Sequence, residues 1–313
     1  MNGYQAPLLR FAGLRTVQDP ASFRYDKDSG ACWLSSCSNV DITDNLGVKV
    51  RDGYGVVAPQ SIGNKHSLFG DHPIFAVYVE GDALTTRRGD GVLARLRNVT
   101  SNLPMSCTVD HELRVFHANG SESGYITPDG AEARAWNPPG ERESLDGESR
   151  ILSPPPADIH IVAYCGARML VGSGSFLFYS EPFDPFRFCL DEGNIPFGSR
   201  LRMIRKVAAG YYIGTATGLV FLRGDDIVDA KLEEIERSPV IQGTDCEVDV
   251  DITMDGKPFR AKGVMVTTER SILMLTDDGT KLDMSDGIIT YPSGASGSAF
   301  VKDGRYTVII NTF

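Results

Sequence analysis

Tyr211-Tyr212-Ile213-Gly214-Thr215-Ala216-Thr217-Gly218-Leu219-Val220-Phe221 reads as two short apolar strands joined by a small polar turn. The same template returns upstream, in Met169-Leu170-Val171-Gly172-Ser173-Gly174-Ser175-Phe176-Leu177-Phe178-Tyr179. It returns downstream in Val264-Met265-Val266-Thr267-Thr268-Glu269-Arg270-Ser271-Ile272-Leu273-Met274-Leu275. The copies are in register. Val171 falls on Ile213 at an offset of 42 (213 − 171), and Ile213 on Val266 at 53 (266 − 213). At that same offset Leu219–Leu222 falls on Ile272–Leu275. Shorter versions occupy Ile74–Thr86, Leu113–Ile126 and Ala299–Ile310. A hairpin recurring every ~40–55 residues, with a polar loop between copies, has the spacing of a four-stranded propeller blade. A lone hairpin cannot bury its apolar face, so such units are stable when stacked around an axis. The expected fold is all-β, a single β-propeller of about six blades, with five to seven compatible with the count. Tyr212, Ile213, Phe221, Phe178 and Val266 are expected in its core. A β-sandwich with long insertions is the competing architecture.

Residues 1–55 lack the template and read as an extended strap. It ends in a hairpin of Asn39–Ile42 and Val48–Val50, turned at Asp44 to Gly47. Residues 56–313 are assigned to the propeller. Trp136 to Pro156 departs from the repeat as a polar, proline-bounded linker. The best helix candidate is Asp226 to Ser238. Arg200-Leu201-Arg202-Met203-Ile204-Arg205-Lys206 alternates, which implies a strand with solvated basic residues and packed Leu201, Met203 or Ile204.

Composition narrows the function classes. The 313 residues carry 31 Lys and Arg against 41 Asp and Glu, a net charge of −10, which disfavours wrapping a polyanion. No apolar run approaches bilayer length, no basic amphipathic stretch suggests a membrane surface, and no secretory signal is visible at Met1–Gln5. Cys32, Cys37, Cys107, Cys165, Cys189 and Cys246 are irregularly spaced and do not form a zinc pattern; free thiols are expected. His66, His72, His111, His117 and His160 never take a metal-ligating spacing. No cofactor or metal site is expected.

Catalytic signatures also fail. Gly120-Ser121-Glu122-Ser123-Gly124 puts Glu where a nucleophile elbow needs Ser, and no phosphate-binding or dinucleotide loop occurs. Propeller glycosidases share Ser-x-Asp-x-Gly-x-Thr-Trp turns, which this chain lacks. The expectation from motifs alone is that the chain is not an enzyme. Asp277-Asp278-Gly279 reads as a hairpin turn, not a calcium loop. One charged pattern stands out. Asp245, Glu247, Asp249 and Asp251 alternate with Cys246, Val248, Val250 and Ile252, which places the acids on one strand face. Glu247, Asp249 and Asp251 are therefore taken as a candidate acidic strip, either a functional lining or the solvated face of a half-buried strand.

A resemblance adds to this reading. Asn39-Val40-Asp41-Ile42, Gly47 and Val50-Arg51-Asp52-Gly53-Tyr54 resemble the "N-V-D-I … G … R-P-G-Y" opening of phage and prophage virion proteins with propeller-like repeats. The similarity continues through Val115–Gly120, Tyr164–Gly172, Tyr179–Pro182, Ile195–Phe197 and Gly210–Thr215, with Asp52 replacing the usual Pro. It implies a structural virion protein, most like the tail hub (nozzle) ring of short-tailed phages below the portal and adaptor. The implied partners are copies of itself in a ring, expected as a hexamer, the adaptor and other tail proteins. DNA would pass without sequence-specific binding. The implied location is the virion tail, after synthesis in the host cytoplasm, with no membrane anchoring. A carbohydrate- or host-receptor-binding propeller, or a glycosidase-like one, is the alternative.

Overall fold

The computed structural model describes residues 65–136 and 151–311, apart from 92, 101–102, 255–256, 286–288 and 303–304. It also describes four short strands before them: β1 (Arg10–Leu14), β2 (Ala31–Leu34), β3 (Val40–Ile42) and β4 (Val48–Val50). The strap boundary at 55/56, the turn at 44–47 and linker residues 137–150 lie outside the described residues. The expected Val40–Ile42/Val48–Val50 hairpin is present as the antiparallel pair β3–β4, and β1 pairs with β2 in parallel.

Five antiparallel meanders follow. Blade 1 is β5 (Lys65–Phe69), β6 (Phe75–Glu80), β7 (Ala83–Arg88) and β8 (Leu93–Asn98). Blade 2 is β9 (Ser106–Val109), β10 (Val115–Ala118), β11 (Ser123–Ile126) and β12 (Ala133–Arg134). Blade 3 is β13 (Ile161–Cys165), β14 (Arg168–Ser173), β15 (Phe176–Glu181) and β16 (Asp184–Phe188), with β17 (Asn194–Pro196) sharing the outer edge of β15. Blade 4 is β18 (Leu201–Val207), β19 (Gly210–Thr215), β20 (Leu219–Arg223) and β21 (Lys231–Glu236). Blade 5 is β22 (Cys246–Met254), β23 (Lys257–Thr267), β24 (Ile272–Thr276) and β25 (Lys281–Asp283). A last pair, β26 (Ser296–Lys302) and β27 (Arg305–Asn311), stands after them.

These sheets form a β-propeller. First strands lie side by side, β9 against β13, β13 against β18 and β22 against β26, so they surround the axis. The core consists of wedges between consecutive blades. Residues in register along the sequence occupy equivalent places: Val115, Val171, Ile213 and Val266 each sit on the second strand and pack on the preceding blade. Their neighbours Phe116, Leu170 and Tyr212 turn to the following blade, as the strand period of two requires. Of the expected core residues, Tyr212, Ile213, Phe221 and Val266 are fully buried, and Phe178 is half-buried against the wedge between blades 2 and 3.

One backbone hydrogen bond also stitches most steps at one end of the blades. Gly120 N donates to Ile159 O (2.8 Å), Leu201 N to Gly174 O (3.0 Å), Val240 N to Thr215 O (3.1 Å) and Tyr291 N to Glu269 O (2.8 Å). In each meander the second-to-third turn and the exit to the next blade share that end. The first-to-second and third-to-fourth turns share the opposite end.

Two local expectations are corrected. Asp226 to Ser238 is not a helix; it is a short 3-10 turn, Ile227–Asp229, followed by strand β21. Lys231-Leu232-Glu233-Glu234 favours a helix intrinsically, but the open edge of β20 offers a backbone ladder, from Arg223↔Lys231 to Leu219↔Glu236 with one irregularity between Leu219 and Val220. In β18, Leu201, Met203 and Ile204 are buried as expected, yet the basic residues are not simply solvated. Arg202 donates to Val240 O (2.8 Å) and Arg205 pairs with Asp245 (2.6 Å), both across to the segment entering blade 5.

Candidate interaction surfaces

The acidic strand is β22. Glu247 and Asp249 are exposed while Val248 between them is buried, so the alternation sets the faces as the sequence implied. Asp251 continues the strand; its side chain lies outside the described residues. Asp245 leaves the set: it turns inward and its carboxylate takes the Arg205 guanidinium, whose charged form is favoured first by that carboxylate. Cations stand near the acids whose side chains are described, and the register continues the pattern. Asp249 is opposite Lys262 and Asp251 opposite Arg260 in the β22–β23 register, and Glu247 stands 3.8 Å from Arg205. At Glu247 and Asp249 the strip is thus a mixed-charge surface and not a bare negative lining. Replacing all three acids (Glu247→Gln, Asp249→Asn, Asp251→Asn) should cost less than about 1 kcal/mol, since exposed pairs are weak. A thermal-melt comparison checks this, and a large drop would mean that the strip is structural.

A second surface lies at the opposite end of blades 2 and 3, and no sequence pattern announced it. The turn Asp110–Arg114 enters β10. The buried Asp110 carboxylate accepts from Glu112 N (3.0 Å), Arg114 N (2.8 Å) and Arg114 Nε (2.7 Å), which locks the turn. The locked turn holds Leu113 at φ 61° and leaves it 41% exposed. In blade 3, Phe183 sits at φ 59° between β15 and β16, is 67% exposed, and donates its N–H to Ala167 O (2.7 Å). Ala167 is itself left-handed at φ 66°. A bulky residue in this region is a genuine outlier costing of order 1–3 kcal/mol. His111 joins the two turns: its Nδ1 shares a hydrogen bond with Tyr164 Oη (2.8 Å), its ring stacks on Tyr164 (5.7 Å) and meets Phe183 edge-on (6.0 Å). The result is an aromatic platform of His111, Tyr164 and Phe183, with Leu113 and Glu112 exposed on the same turn as His111. The reading of Leu113 as the start of a strand is corrected: it belongs to the turn before β10, which begins at Val115.

Buried reactive groups are chemically quiet. Desolvation pushes the thiols of Cys107, Cys165 and Cys246 up to about 12, which keeps them protonated and poorly nucleophilic. Cys107, Cys165, Cys189 and Cys246 are free, as expected; Cys32 and Cys37 lie outside the described side chains. His117 is fully buried in the wedge between blades 1 and 2, beside Gly124, with neither ring nitrogen hydrogen-bonded. Burial, then the charge of Arg97, pulls it down to about 3, against a smaller opposing pull from Glu122. Among the described residues no group of three or more His, Cys, Asp or Glu is arranged to hold a metal ion. No helix of the described residues is long and apolar enough to cross a membrane.

No family model matches the chain, and no curated protein matches it. Solved structures similar to it are propeller proteins. A gluconolactonase from Xanthomonas campestris aligns at TM-score 0.46 and 11% identity, over 80% of this chain and 84% of its own. A virginiamycin B lyase from Staphylococcus aureus aligns at 0.47 and 11%, over 87% and 84%. The extracellular domain of a hybrid two-component system from B. thetaiotaomicron aligns at 0.47 and 9%, over 82% of this chain and 32% of that one. The likeness concerns fold alone. The expectation that the chain is not an enzyme is corrected: enzymes stand among these structures. Chemistry on a shared fold is carried by grafted sites that short motifs need not reveal.

Proposed function

We propose that the chain is a structural virion protein, a stiff propeller module of a phage-type tail, most like a hub or nozzle ring component. The observation that carries this reading is the aromatic platform of His111, Tyr164 and Phe183, flanked by the strained, exposed Leu113. Strained backbone that holds apolar side chains in water gives the isolated molecule nothing, and such features persist where a partner uses them. The ordered virion-like motifs from Asn39 to Thr215 supply the class of partner: neighbouring copies in a ring and adjoining tail proteins, with a DNA path along the assembly. Residues Asp110 to Arg114 make the platform rigid before contact, which lowers the ordering cost of docking.

Mass spectrometry of purified particles with copy number tests the proposal. About six to twelve copies per particle supports a ring, since closed rings repeat one interface. Material absent from particles refutes it. Phe183→Asp should reduce incorporation while leaving the free protein's melting temperature unchanged or raised. The aromatic make-up of the same platform favours one second reading, a carbohydrate- or receptor-binding propeller, which glycan-array binding of the wild type against Phe183→Asp would reveal. Lactone-hydrolysis and glycan-cleavage assays on the same preparations test for catalysis.

A further inference from the structure

The sheet β26–β27 is built as the inner half of a blade. It is entered through the same stitch as the others, Tyr291 N to Glu269 O, and β26 is tied to the segment entering blade 5 by Gly297 N donating to Gln242 O (2.9 Å). One face is packed: Val301 and Tyr306 lie on Val248, Met265 and Met274 of blade 5. Tyr306 Oη bonds Thr267 Oγ1 (2.9 Å) and Thr244 O (2.5 Å). The other face carries Phe300 and Ile309, 43% and 59% exposed, diagonal neighbours in the register that pairs Ser298 with Ile309 and Phe300 with Thr307. The far edge of β27 has no strand partner among the described residues. An open edge beside exposed apolar side chains is an unstable arrangement unless something covers it.

The chain contains a second half-blade. The hairpin β3–β4 shares no backbone ladder with another sheet among the described residues, although β3 lies beside β1. Its register, Val40↔Val50, Asp41↔Lys49 and Ile42↔Val48, puts four aliphatic residues on one face and an Asp–Lys pair on the other. A two-stranded hairpin alone is marginal in water.

We propose that β3–β4 is the outer half of the blade begun by β26–β27, with β3 antiparallel to β27 and β4 outermost. The propeller then closes on a sixth blade made from residues 296–311 and 40–50. The order of strands supports this. In every other blade the chain leaves the outermost strand and crosses to the innermost strand of the next. With β4 outermost, residues 51–64 become that same crossing, into β5 of blade 1. These fourteen residues fall between the shortest and longest crossings, 197–200 and 135–160. Their extended reach of ~45 Å spans a blade. The hairpin comes from the same chain, because a tether of this length holds it at an effective concentration of order millimolar, which a second copy in dilute solution does not match. This inference does not depend on the virion reading.

Hydrogen exchange on the full chain tests it. Amides of 305–311 should be protected in the wild type and should exchange about 100-fold faster in Ile42→Asp, while 201–223 stays unchanged as the control for folding. Equal rates at 305–311 in both proteins would overturn the proposal. A second measurement uses only wild-type protein, mixed from light and heavy isotope-labelled preparations. An amine cross-linker should join Lys49 to Lys302, which the closed blade puts about three strand spacings, ~15 Å, apart. Cross-links confined to chains of one mass support closure within the chain. Mixed-mass links, or none, refute it.

Discussion

Phe221→Ala is expected to lower the unfolding free energy by about 3–5 kcal/mol, the range for emptying a large aromatic site in a packed core. Phe221 lies on the third strand of blade 4, fully buried in the wedge against Val264, Val266, Leu273 and Leu275 of blade 5. Its ring packs on Tyr212 at 4.6 Å and carries the Arg223 guanidinium at 5.1 Å. The floor of the site is rigid. Gly279, at φ +94° in the turn between β24 and β25, comes so close that an added Cβ would lie 2.6 Å from the Phe221 ring. Gly279 has no side chain that could move into the void, which places the loss toward the upper part of the range. Urea unfolding at constant slope measures it. A loss below ~1 kcal/mol would contradict the assigned face of β20.

Acidification from pH 6.5 to 4.5 should destabilise the protein by about 2–3 kcal/mol through His117 alone, at 1.36 kcal/mol per pH unit. In the unfolded chain the ring titrates near 6.5, and in the fold at about 3. Between those values the unfolded chain binds a proton that the folded one refuses. The neutral ring's contribution is therefore complete above pH 6.5 and is lost as pH falls toward 3. His66, His72 and His160 are lowered too, first by desolvation, and add in the same direction. The carboxylates that the fold holds low, Glu122, Asp129 and Asp278, act below this window. Denaturant midpoints at several pH values give the slope. His117→Leu should flatten it while keeping stability at pH 7.5, because an apolar side chain leaves no polar atom unpaired beside Gly124. An unchanged slope in that variant would move the effect to the other histidines.

What short-range periodicity can carry was legible in the order of the residues. The offset copies around Val171, Ile213 and Val266 identified equivalent second strands, and alternation at Glu247, Val248 and Asp249 set which side meets water. Asp277-Asp278-Gly279 was legible as a turn because its hydrogen bonds are local: Asp278 accepts from Thr276 and Thr280. Tertiary structure decided everything that depends on a partner distant along the chain. Lys231–Glu236 became a strand because β20 presented an edge to it, whatever its intrinsic preference. Arg205 left solvent for Asp245, forty residues away. His111, Tyr164 and Phe183 form one platform because blades 2 and 3 stand side by side, and His117 is neutral because blade 1 seals it from water. A strand pattern records which residues share a face. It holds no record of what the next blade brings against that face, and there the charges, the strained turns and the platform were settled.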